Sequence, residues 1–198
     1  MFECLHSKDI IYRDLKTENL LIAPSGYLKV ADFGFAKRLD GSDKTWTLCG
    51  TPEHLAPEII QNKGHNKAAD WWTLGINIYE FLSGEPPFFD NTPIGTYRKI
   101  IAGELQFGGE DSDSGDPEDF SADAQDLITQ MLSKEPSQRL GCGKRGARDV
   151  KEHPFFATMD WVRIVAAVAA PAAAADPLRA SAGRALRHGA RAAAYTGD

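Results

Sequence analysis

The sequence predicts a mainly helical α+β fold, with one short β-hairpin and one helix buried at the centre. Three patterns support this prediction. Residues 67–82 are apolar on nearly every side of a helix, residues 124–132 repeat apolar side chains at helical spacing, and residues 20–30 have two short strand-like runs around a turn. Helices therefore account for most of the expected core.

The hairpin is the first element along the chain. Residues 20–22 (LLI) and 27–30 (YLKV) have the apolar and β-branched composition of strands, and residues 24–26 (PSG) between them are typical of a turn. We therefore expect two antiparallel strands joined by a tight connection.

The central helix is predicted over residues 67–82. Its aromatic and aliphatic side chains include Trp71, Trp72 and Ile76, and they surround the helix instead of forming one stripe. A helix that is apolar all round is buried in a protein core. Asn77 is the one polar residue that is out of place in this pattern.

An amphipathic helix is predicted farther along the chain. Ala124, Leu127, Ile128, Met131 and Leu132 recur at the spacing of one helical face, and Ser121 stands before them as an N-cap. The pattern places one face of this helix on the core.

Composition and charge exclude several classes of protein. Of 198 residues, 42% are hydrophobic and 25% charged, which is typical of a globular chain that can bury a core. The three cysteines have no CxxC spacing and are odd in number, so they predict neither a disulfide framework nor a zinc site. No apolar stretch approaches the roughly 20 residues that span a bilayer. The cytoplasm, and also the nucleus, are the expected locations, since the reducing cell interior suits unpaired thiols.

The charge differs between two segments. The formal charge of −6 is the balance of −9 over residues 1–161 and +3 over residues 162–198. A body this acidic is a poor nucleic-acid binder and suits basic peptides as partners. Ala makes up 15 of the last 37 residues, without a sustained apolar period. We therefore predict a folded domain over 1–161 and a mostly disordered Ala/Arg-rich tail over 162–198, with transient helix supported by the Ala content as the alternative.

Three short motifs carry the predicted chemistry. Residues 12–19 (YRDLKTEN), 32–34 (DFG) and 56–58 (APE) follow one another in the order of the kinase catalytic loop, metal-binding motif and end of the activation segment. Phosphoryl transfer needs metal ligands at the phosphates, a carboxylate at the attacking hydroxyl and cations facing the developing charge. Any one triplet is weak, but their order and spacing indicate a protein kinase.

With these motifs, the chain resembles the C-terminal lobe of the kinase group that includes the cyclic-AMP-dependent and cyclic-GMP-dependent kinases. The similar segments are Tyr12 in the catalytic loop, residues 31–37 (ADFGFAK), residues 45–53 (TWTLCGTPE) and residues 70–72 (DWW). The resemblance extends from Phe2 to about Trp161. It implies a protein kinase-like fold, represented by the C-terminal lobe only.

The resemblance implies a serine/threonine kinase that uses ATP and Mg²⁺. Asp14 would be the catalytic base, and Lys16 would steady the transferred phosphate. Asn19 and Asp32 would hold the metal, which suits oxygen ligands for a hard cation. Thr51 resembles the residue that supports the base and the lysine in serine/threonine kinases; an ordinary loop threonine is the alternative.

Several matched positions imply structural roles. Glu58 would form a buried ion pair with Arg139, and Asp70 would hold backbone amides of the catalytic loop. A simple helix cap is the alternative for Asp70. His6, His65 and His153 have no metal-ligand spacing, so they are expected to be structural or surface residues.

The resemblance also implies a substrate preference. Glu18 and Glu80 match positions that receive a basic substrate side chain, and a solvated surface role is the alternative for each. The site for the residue after the phosphoacceptor would be apolar and formed by Leu48, Pro52 and Leu55. His54 departs from the usual Tyr, which puts the selectivity in question, whereas Thr17 in place of Pro is tolerable. The expected partners are basic protein substrates and a regulatory subunit.

Activation-segment phosphorylation is a further expectation. Arg13 precedes the catalytic Asp14, and Lys37 lies five residues past Asp32, so a phosphate on Thr47 could pair with both cations. Thr45 is a weaker candidate for the same modification.

No glycine-rich loop GxGxxG and no Val-Ala-Ile-Lys strand occur in these 198 residues. We therefore expect the N-terminal lobe to be missing and the isolated chain to be inactive. Two functions remain open at this point: a serine/threonine kinase that acts on basic substrates, or a non-catalytic kinase-lobe fragment that binds proteins. The presence of all four residues Asp14, Lys16, Asn19 and Asp32 favours the enzyme.

Overall fold

The computed structural model describes residues 1–39, 41, 43–108 and 120–169. In these ranges the helices are α1 (Phe2–His6), α2 (Pro57–Ile60), α3 (Lys67–Ser83), α4 (Pro93–Ala102), α5 (Ala122–Met131), α6 (Ala147–Lys151) and α7 (Trp161–Ala169). The strands are β1 (Ile10–Ile11), β2 (Leu20–Ile22), β3 (Leu28–Val30) and β4 (Lys37–Arg38). The predicted mainly helical fold with a small hairpin is confirmed.

The described residues divide into two units. The larger one contains Met1–Asn19 and Asp32–Met159, and the smaller one contains Leu20–Ala31 with the residues from Asp160 onward. The predicted active-site residues and the helices α1 to α6 all belong to the larger unit. None of the described helices is both long and apolar enough to cross a membrane.

The core of the larger unit surrounds α3. Trp72 and Ile76 on this helix are fully buried and pack with Ile100 of α4 and Ile128 of α5. At Gly75 an added Cβ would lie 2.8 Å from the Cβ of Met131, so α3 and α5 approach too closely for any side chain there. The sequence pattern around residues 67–82 is therefore that of a helix enclosed by its neighbours, as predicted.

Local signals set the helix ends. The Asn66 side chain caps α3 by accepting a hydrogen bond from the Ala68 N–H at 3.0 Å, and the helix stops at Gly84 with φ 87°. Ser121 caps α5 by accepting from the Ala124 N–H at 3.2 Å, as the sequence predicted. Ser and Asn are favoured at helix N-caps, and glycine takes the left-handed conformation at a C-cap without a steric cost.

Two separate two-stranded sheets are present. The hairpin of β2 and β3 pairs Leu20 with Val30 and Ile22 with Leu28, which agrees with the predicted strands. The pair β1–β4, with Ile11 opposite Lys37, was not predicted. It joins the residues just before the catalytic loop to the residues just after the metal-binding motif, which brings two of the predicted motifs to the same part of the larger unit.

Helix α7 covers Trp161–Ala169, so the first residues of the predicted tail, 162–169, are helical. Ala has the highest helix propensity, and Ala166, Ala167 and Ala169 lie in this segment. The remaining part of the predicted tail, 170–198, lies outside the described residues.

Candidate active site

Asp70 holds the predicted catalytic loop in place. It lies in the first turn of α3 and has no exposed surface. Its carboxylate accepts hydrogen bonds from the backbone N–H of Arg13 at 2.8 Å and of Tyr12 at 3.0 Å. The His6 Nε2 lies 2.7 Å from the same carboxylate. Arg13 is held at φ 71°, a conformation that costs a non-glycine residue free energy. Asp70 therefore stabilises a strained loop and is not a simple helix cap.

The loop places Asp14 beside an amide and an ammonium group. The Asn19 side-chain nitrogen donates to the Asp14 Oδ2 at 3.0 Å and to the Asp14 backbone carbonyl at 2.8 Å. The Lys16 Nζ lies 3.3 Å from the same Oδ2. Asp14 is only 4% exposed, and its Oδ1 is buried without a hydrogen-bond partner among the described residues. One carboxylate oxygen is thus held by Asn19 and Lys16, and the other has no hydrogen-bond partner among the described residues.

Asn77 supports the same loop from α3. Its side-chain nitrogen donates to the Leu15 carbonyl at 3.1 Å and to the Thr73 carbonyl at 2.7 Å. This residue has no exposed surface. The polar residue that interrupts the apolar helix is therefore a second anchor of the catalytic loop, next to Asp70.

Thr51 contacts one of its two predicted partners. The Lys16 Nζ donates to the Thr51 Oγ1 at 3.4 Å, a long hydrogen bond, and no hydrogen bond between Thr51 and Asp14 is found in the described part of the chain. Thr51 therefore lies at the lysine rather than at the predicted base.

Asp32 is exposed and lies just before the turn at residues 34–35, with φ 54°. Its Oδ1 accepts from the Gly34 N–H at 2.9 Å, and the neighbouring Phe33 ring meets the Tyr12 ring edge-on at 5.3 Å. Burial, followed by the charge of Asp14, raises the pKa of the Tyr12 phenol to about 12. Tyr12 therefore stays neutral and serves as a buried packing surface for the motif.

The donor atoms at Asn19 and Asp32 fit Mg²⁺. The Asn19 nitrogen is occupied by Asp14, so the amide oxygen is the atom able to coordinate a cation, and Asp32 adds a carboxylate. Within the described ranges no group of three or more His, Cys, Asp or Glu side chains could hold a metal unaided. Mg²⁺ is usually held by one or two protein oxygens together with substrate phosphates and water, so two protein ligands suffice.

The two cations predicted to pair with a phosphate on Thr47 contact other residues in the structure. The Arg13 Nε donates to the Phe35 carbonyl at 2.7 Å, while its buried NH1 nitrogen has no hydrogen-bond partner among the described residues. The Lys37 Nζ donates to the hydroxyl of Thr45 at 2.9 Å, and Thr45 is buried. Thr47 is exposed. Of the two candidate threonines, only Thr47 is accessible to a modifying enzyme.

The predicted ion pair of Glu58 and Arg139 is present. The two guanidinium nitrogens donate to the two Glu58 oxygens at 2.8 and 3.0 Å, and Arg139 is 1% exposed. The same guanidinium donates to the carbonyls of Ala68 and Ser133 and lies 5.1 Å from the centre of the Trp72 ring. Every polar group of this buried pair is thus matched.

The predicted substrate-binding residues fall into two groups. Glu80 is close to the charges of Glu18 and Glu53, which add to burial in raising the pKa of the Glu80 carboxyl. The His54 Nε2 lies 3.4 Å from the Glu80 Oε2. The structure thus places Glu80 in an acidic cluster of Glu18, Glu53 and Glu80 around His54.

The apolar group is less uniform than predicted. Leu48 is 67% exposed and Pro52 is half-buried, but Leu55 is 4% exposed and belongs to the hydrophobic core. An added Cβ at Gly50 would lie 3.1 Å from the Leu55 side chain. Leu48 and Pro52 therefore offer apolar surface to a ligand, whereas Leu55 acts mainly beneath that surface.

Comparison with known proteins gives the family. Residues 2–156 match the protein kinase domain. The chain belongs to the protein kinase family. It is 54% identical over 159 residues to the cAMP-dependent protein kinase catalytic subunit PRKX of Homo sapiens, and this alignment covers 80% of the chain and 41% of that relative.

Two further relatives show the same pattern. The cAMP-dependent protein kinase catalytic subunit of Dictyostelium discoideum is 52% identical over 162 residues, which are 82% of this chain and 23% of that protein. The cGMP-dependent protein kinase, isozyme 1, of Drosophila melanogaster is 48% identical over 160 residues, with 81% and 20% covered. The chain thus spans less than half the length of the protein kinases it matches.

Sequence reasoning missed two contacts of this protein kinase domain. The hydrogen bond from Asn77 to Leu15 was not predicted, although a polar residue in an apolar helix was its signal. The closeness of His54 and Glu80 was not predicted either, although the departure of His54 from the family residue was noticed. Both contacts join residues more than 20 positions apart, which one sequence does not reveal.

A groove of about 860 Å³ lies in the larger unit, away from the predicted chemistry. Its lining includes Lys63, His65, Cys142 and Lys144, and none of Asp14, Lys16, Asn19 and Asp32 contributes to it. Burial raises the pKa of the Cys142 thiol to about 11, which keeps it protonated and unreactive. The groove is therefore not the active site of the kinase.

Proposed function

We propose that this protein is a serine/threonine kinase that transfers the γ-phosphate of ATP to hydroxyl groups of basic protein substrates, and that the chain is the C-terminal lobe of its catalytic domain. The observation that carries the proposal is the state of Asp14. One of its oxygens is held by Asn19 and Lys16, and the other is buried without a partner. A buried carboxylate oxygen without a partner is costly unless a ligand supplies a hydrogen bond.

The unpartnered Asp14 oxygen is suited to receive the proton of a substrate hydroxyl. General-base catalysis requires the base to be within hydrogen-bond reach of that proton, and the two anchors of the loop, Asp70 and Asn77, fix its position. The Lys16 ammonium, next to Asp14 and Thr51, adds positive charge where negative charge builds up on the transferred group. The residues present thus supply a base, a cation and a rigid support.

Asn19 and Asp32 would hold Mg²⁺ together with ATP. When bound, Mg²⁺ neutralises charge on the phosphates of the nucleotide. The hydrogen bond from the Asn19 nitrogen to Asp14 links the proposed metal ligand to the proposed base, so that the orientation of one depends on the other. ATP and Mg²⁺ as cofactors are supported by the family and by this donor set.

Basic substrates are supported by the acidic cluster. Glu80 carries a carboxyl that burial and the charges of Glu18 and Glu53 destabilise in its ionised form, and a guanidinium from a substrate would relieve that repulsion. The similarity to proteins named as catalytic subunits also supports a regulatory subunit as a partner.

We also propose phosphorylation of Thr47. This residue is exposed, and the chain offers two cations to the segment that contains it, the unpartnered NH1 of Arg13 and the ammonium of Lys37. A phosphate brings about two negative charges and several acceptor oxygens, so that pairing with both cations would order the segment.

The test is phosphate transfer from radiolabelled Mg-ATP to a serine peptide with two preceding arginines. The chain is assayed alone and joined behind the N-terminal lobe of the human relative. We expect transfer by the joined protein and a fall of about a hundred-fold or more in Asp14→Asn, because general-base catalysis contributes at least that factor.

The matched control is Asp149→Asn, which removes a carboxylate at an ion pair with Arg145 and should leave transfer unchanged. Equal rates in Asp14→Asn and the unchanged protein would refute the assigned base. Peptide binding without any transfer in the joined protein would instead indicate a non-catalytic module.

A further inference from the structure

The side chain of His54 lies in the acidic cluster, and its imidazole can be neutral or positively charged. It lies in the turn Pro52–His54 and is 7% exposed. Both its ring nitrogens and the Glu80 Oε2 are buried without a hydrogen-bond partner among the described residues, although the His54 Nε2 and this oxygen are only 3.4 Å apart. The His54 imidazole and the Glu80 carboxylate are thus adjacent, and the atoms that face each other lack a hydrogen bond. The carboxylate can gain a partner in two ways.

One way is internal. A protonated His54 would form an ion pair with Glu80, and a charge-assisted hydrogen bond at this distance needs only a small adjustment of either side chain. The other way is external, since a guanidinium from a bound peptide would pair with Glu80 while His54 stays neutral. The two pairings oppose each other, because an imidazolium at Glu80 repels a guanidinium that approaches the same carboxylate and reduces the negative charge that attracts it.

We propose that His54 determines how strongly this kinase selects basic substrates, by competing, when protonated, with the substrate's arginine for Glu80. This inference rests on the proposed function. It gives His54 a role in selectivity that the tyrosine usual at this family position cannot have. A tyrosine hydroxyl has no cationic state, so it cannot replace the substrate's positive charge.

The charges around His54 set the direction of the effect. Burial lowers the pKa of His54 below its ordinary value, the carboxylates of Glu53, Glu18 and Asp14 oppose this shift, and Lys16 adds to it. His54 is therefore mostly neutral at neutral pH, which leaves Glu80 available to a substrate arginine. As the pH falls through the pKa of His54, the imidazolium forms and arginine affinity is lost, by up to about ten-fold per pH unit for a single competing proton.

The main experiment compares His54 with the family residue. The dissociation constant of the two-arginine serine peptide is measured by fluorescence anisotropy from about pH 7.5 to about pH 5.5, where histidine titrates, for the unchanged chain, His54→Tyr and Glu80→Gln. Protonation of Glu80 itself weakens binding in both the unchanged chain and His54→Tyr. The effect of His54 is therefore measured by the dissociation constant of the unchanged chain divided by that of His54→Tyr. We expect this ratio to be near one at the upper pH and to rise about three-fold or more at the lower pH.

A second measurement does not involve the peptide. The pKa of the His54 imidazole is followed by NMR in the unchanged chain and in Glu80→Gln, and we expect a lower value in Glu80→Gln because the carboxylate that favours the imidazolium is gone. Addition of the peptide to the unchanged chain should lower it as well.

The outcomes separate the inference from the proposed function. Parallel pH profiles for the unchanged chain and His54→Tyr, or an unchanged His54 pKa in Glu80→Gln, would overturn the inference even if the peptide binds well. Failure of the peptide to bind at any pH, with the pKa coupling intact, would refute basic substrates and with them the competition.

Discussion

Two buried polar regions of the larger unit differ in how completely their polar atoms are hydrogen-bonded. At Glu58 and Arg139 both oxygens of the carboxylate are paired, and the guanidinium also donates to two backbone carbonyls. Around the catalytic loop, by contrast, Asp14, Arg13, His54 and Glu80 supply five of the eight buried polar side-chain atoms that lack a partner in the described part of the chain. The other three belong to His65, Trp72 and Asn77.

This difference separates structural from functional polar residues. Burying a polar group without a hydrogen bond costs about 1–3 kcal/mol, so a stable fold keeps such groups where a ligand completes them. The saturated pair holds the helices together and has no capacity for a ligand. Five of the eight unpaired atoms, those of Asp14, Arg13, His54 and Glu80, lie where a substrate hydroxyl, a phosphate and a basic side chain are proposed to bind.

The largest expected effect is on the saturated pair. Glu58→Gln removes the charge that compensates the buried Arg139, and we expect a loss of about 3–5 kcal/mol in the free energy of unfolding. Urea denaturation followed by circular dichroism measures it. Glu85→Gln, at an exposed position, is the matched control and should change stability by less than about 0.5 kcal/mol. A similar small change in both variants would mean that the pair is not a structural support.

A smaller effect is expected at the anchor of the catalytic loop. Asp70→Asn replaces an acceptor oxygen with a donor and weakens the hydrogen bonds from the Tyr12 and Arg13 amides, at a cost of about 1.5–3 kcal/mol for bonds to a charged group. Because Arg13 is held at φ 71°, the loop should relax when its anchor weakens.

Amide hydrogen exchange measures this relaxation directly. Exchange at residues 12 and 13 should accelerate in Asp70→Asn, and the same amides should be unaffected in Asp149→Asn. Unchanged protection at both amides would contradict the anchoring role and favour a purely local role of Asp70 in α3.

Much of this arrangement could be predicted from the sequence, for physical reasons. The helix α3 was predictable because enclosure by other helices requires apolar residues on every side, and α5 because Ser121 and an apolar stripe mark its start and face. The roles of Asp14, Asn19 and Asp32 stay predictions, made because phosphoryl transfer needs these residue types at fixed spacing. The pairing of Glu58 with Arg139, 81 residues apart, followed only from family resemblance.

Other features could not be predicted because they depend on three-dimensional packing. The strands β1 and β4 have two residues each, too short for a pattern, and they exist because neighbouring segments pair. The burial of Leu55 depends on the helices that surround it, so the sequence did not distinguish it from the more exposed Leu48 and Pro52. The helix at Trp161–Ala169 overlaps the start of the Ala-rich tail, where the composition allows both disorder and helix, so composition alone did not decide between them.

The contrast between the two regions is tested most directly by two single variants, Glu58→Gln and Glu80→Gln. For each variant, the free energy of unfolding and the dissociation constant of the two-arginine serine peptide are measured. We predict that Glu80→Gln keeps its stability within about 0.5 kcal/mol, since the change relieves repulsion from Glu18 and Glu53, and loses about ten-fold or more in affinity. Glu58→Gln should lose stability while its folded fraction binds the peptide normally. Loss of stability in Glu80→Gln as large as in Glu58→Gln, with peptide affinity unchanged, would contradict the account.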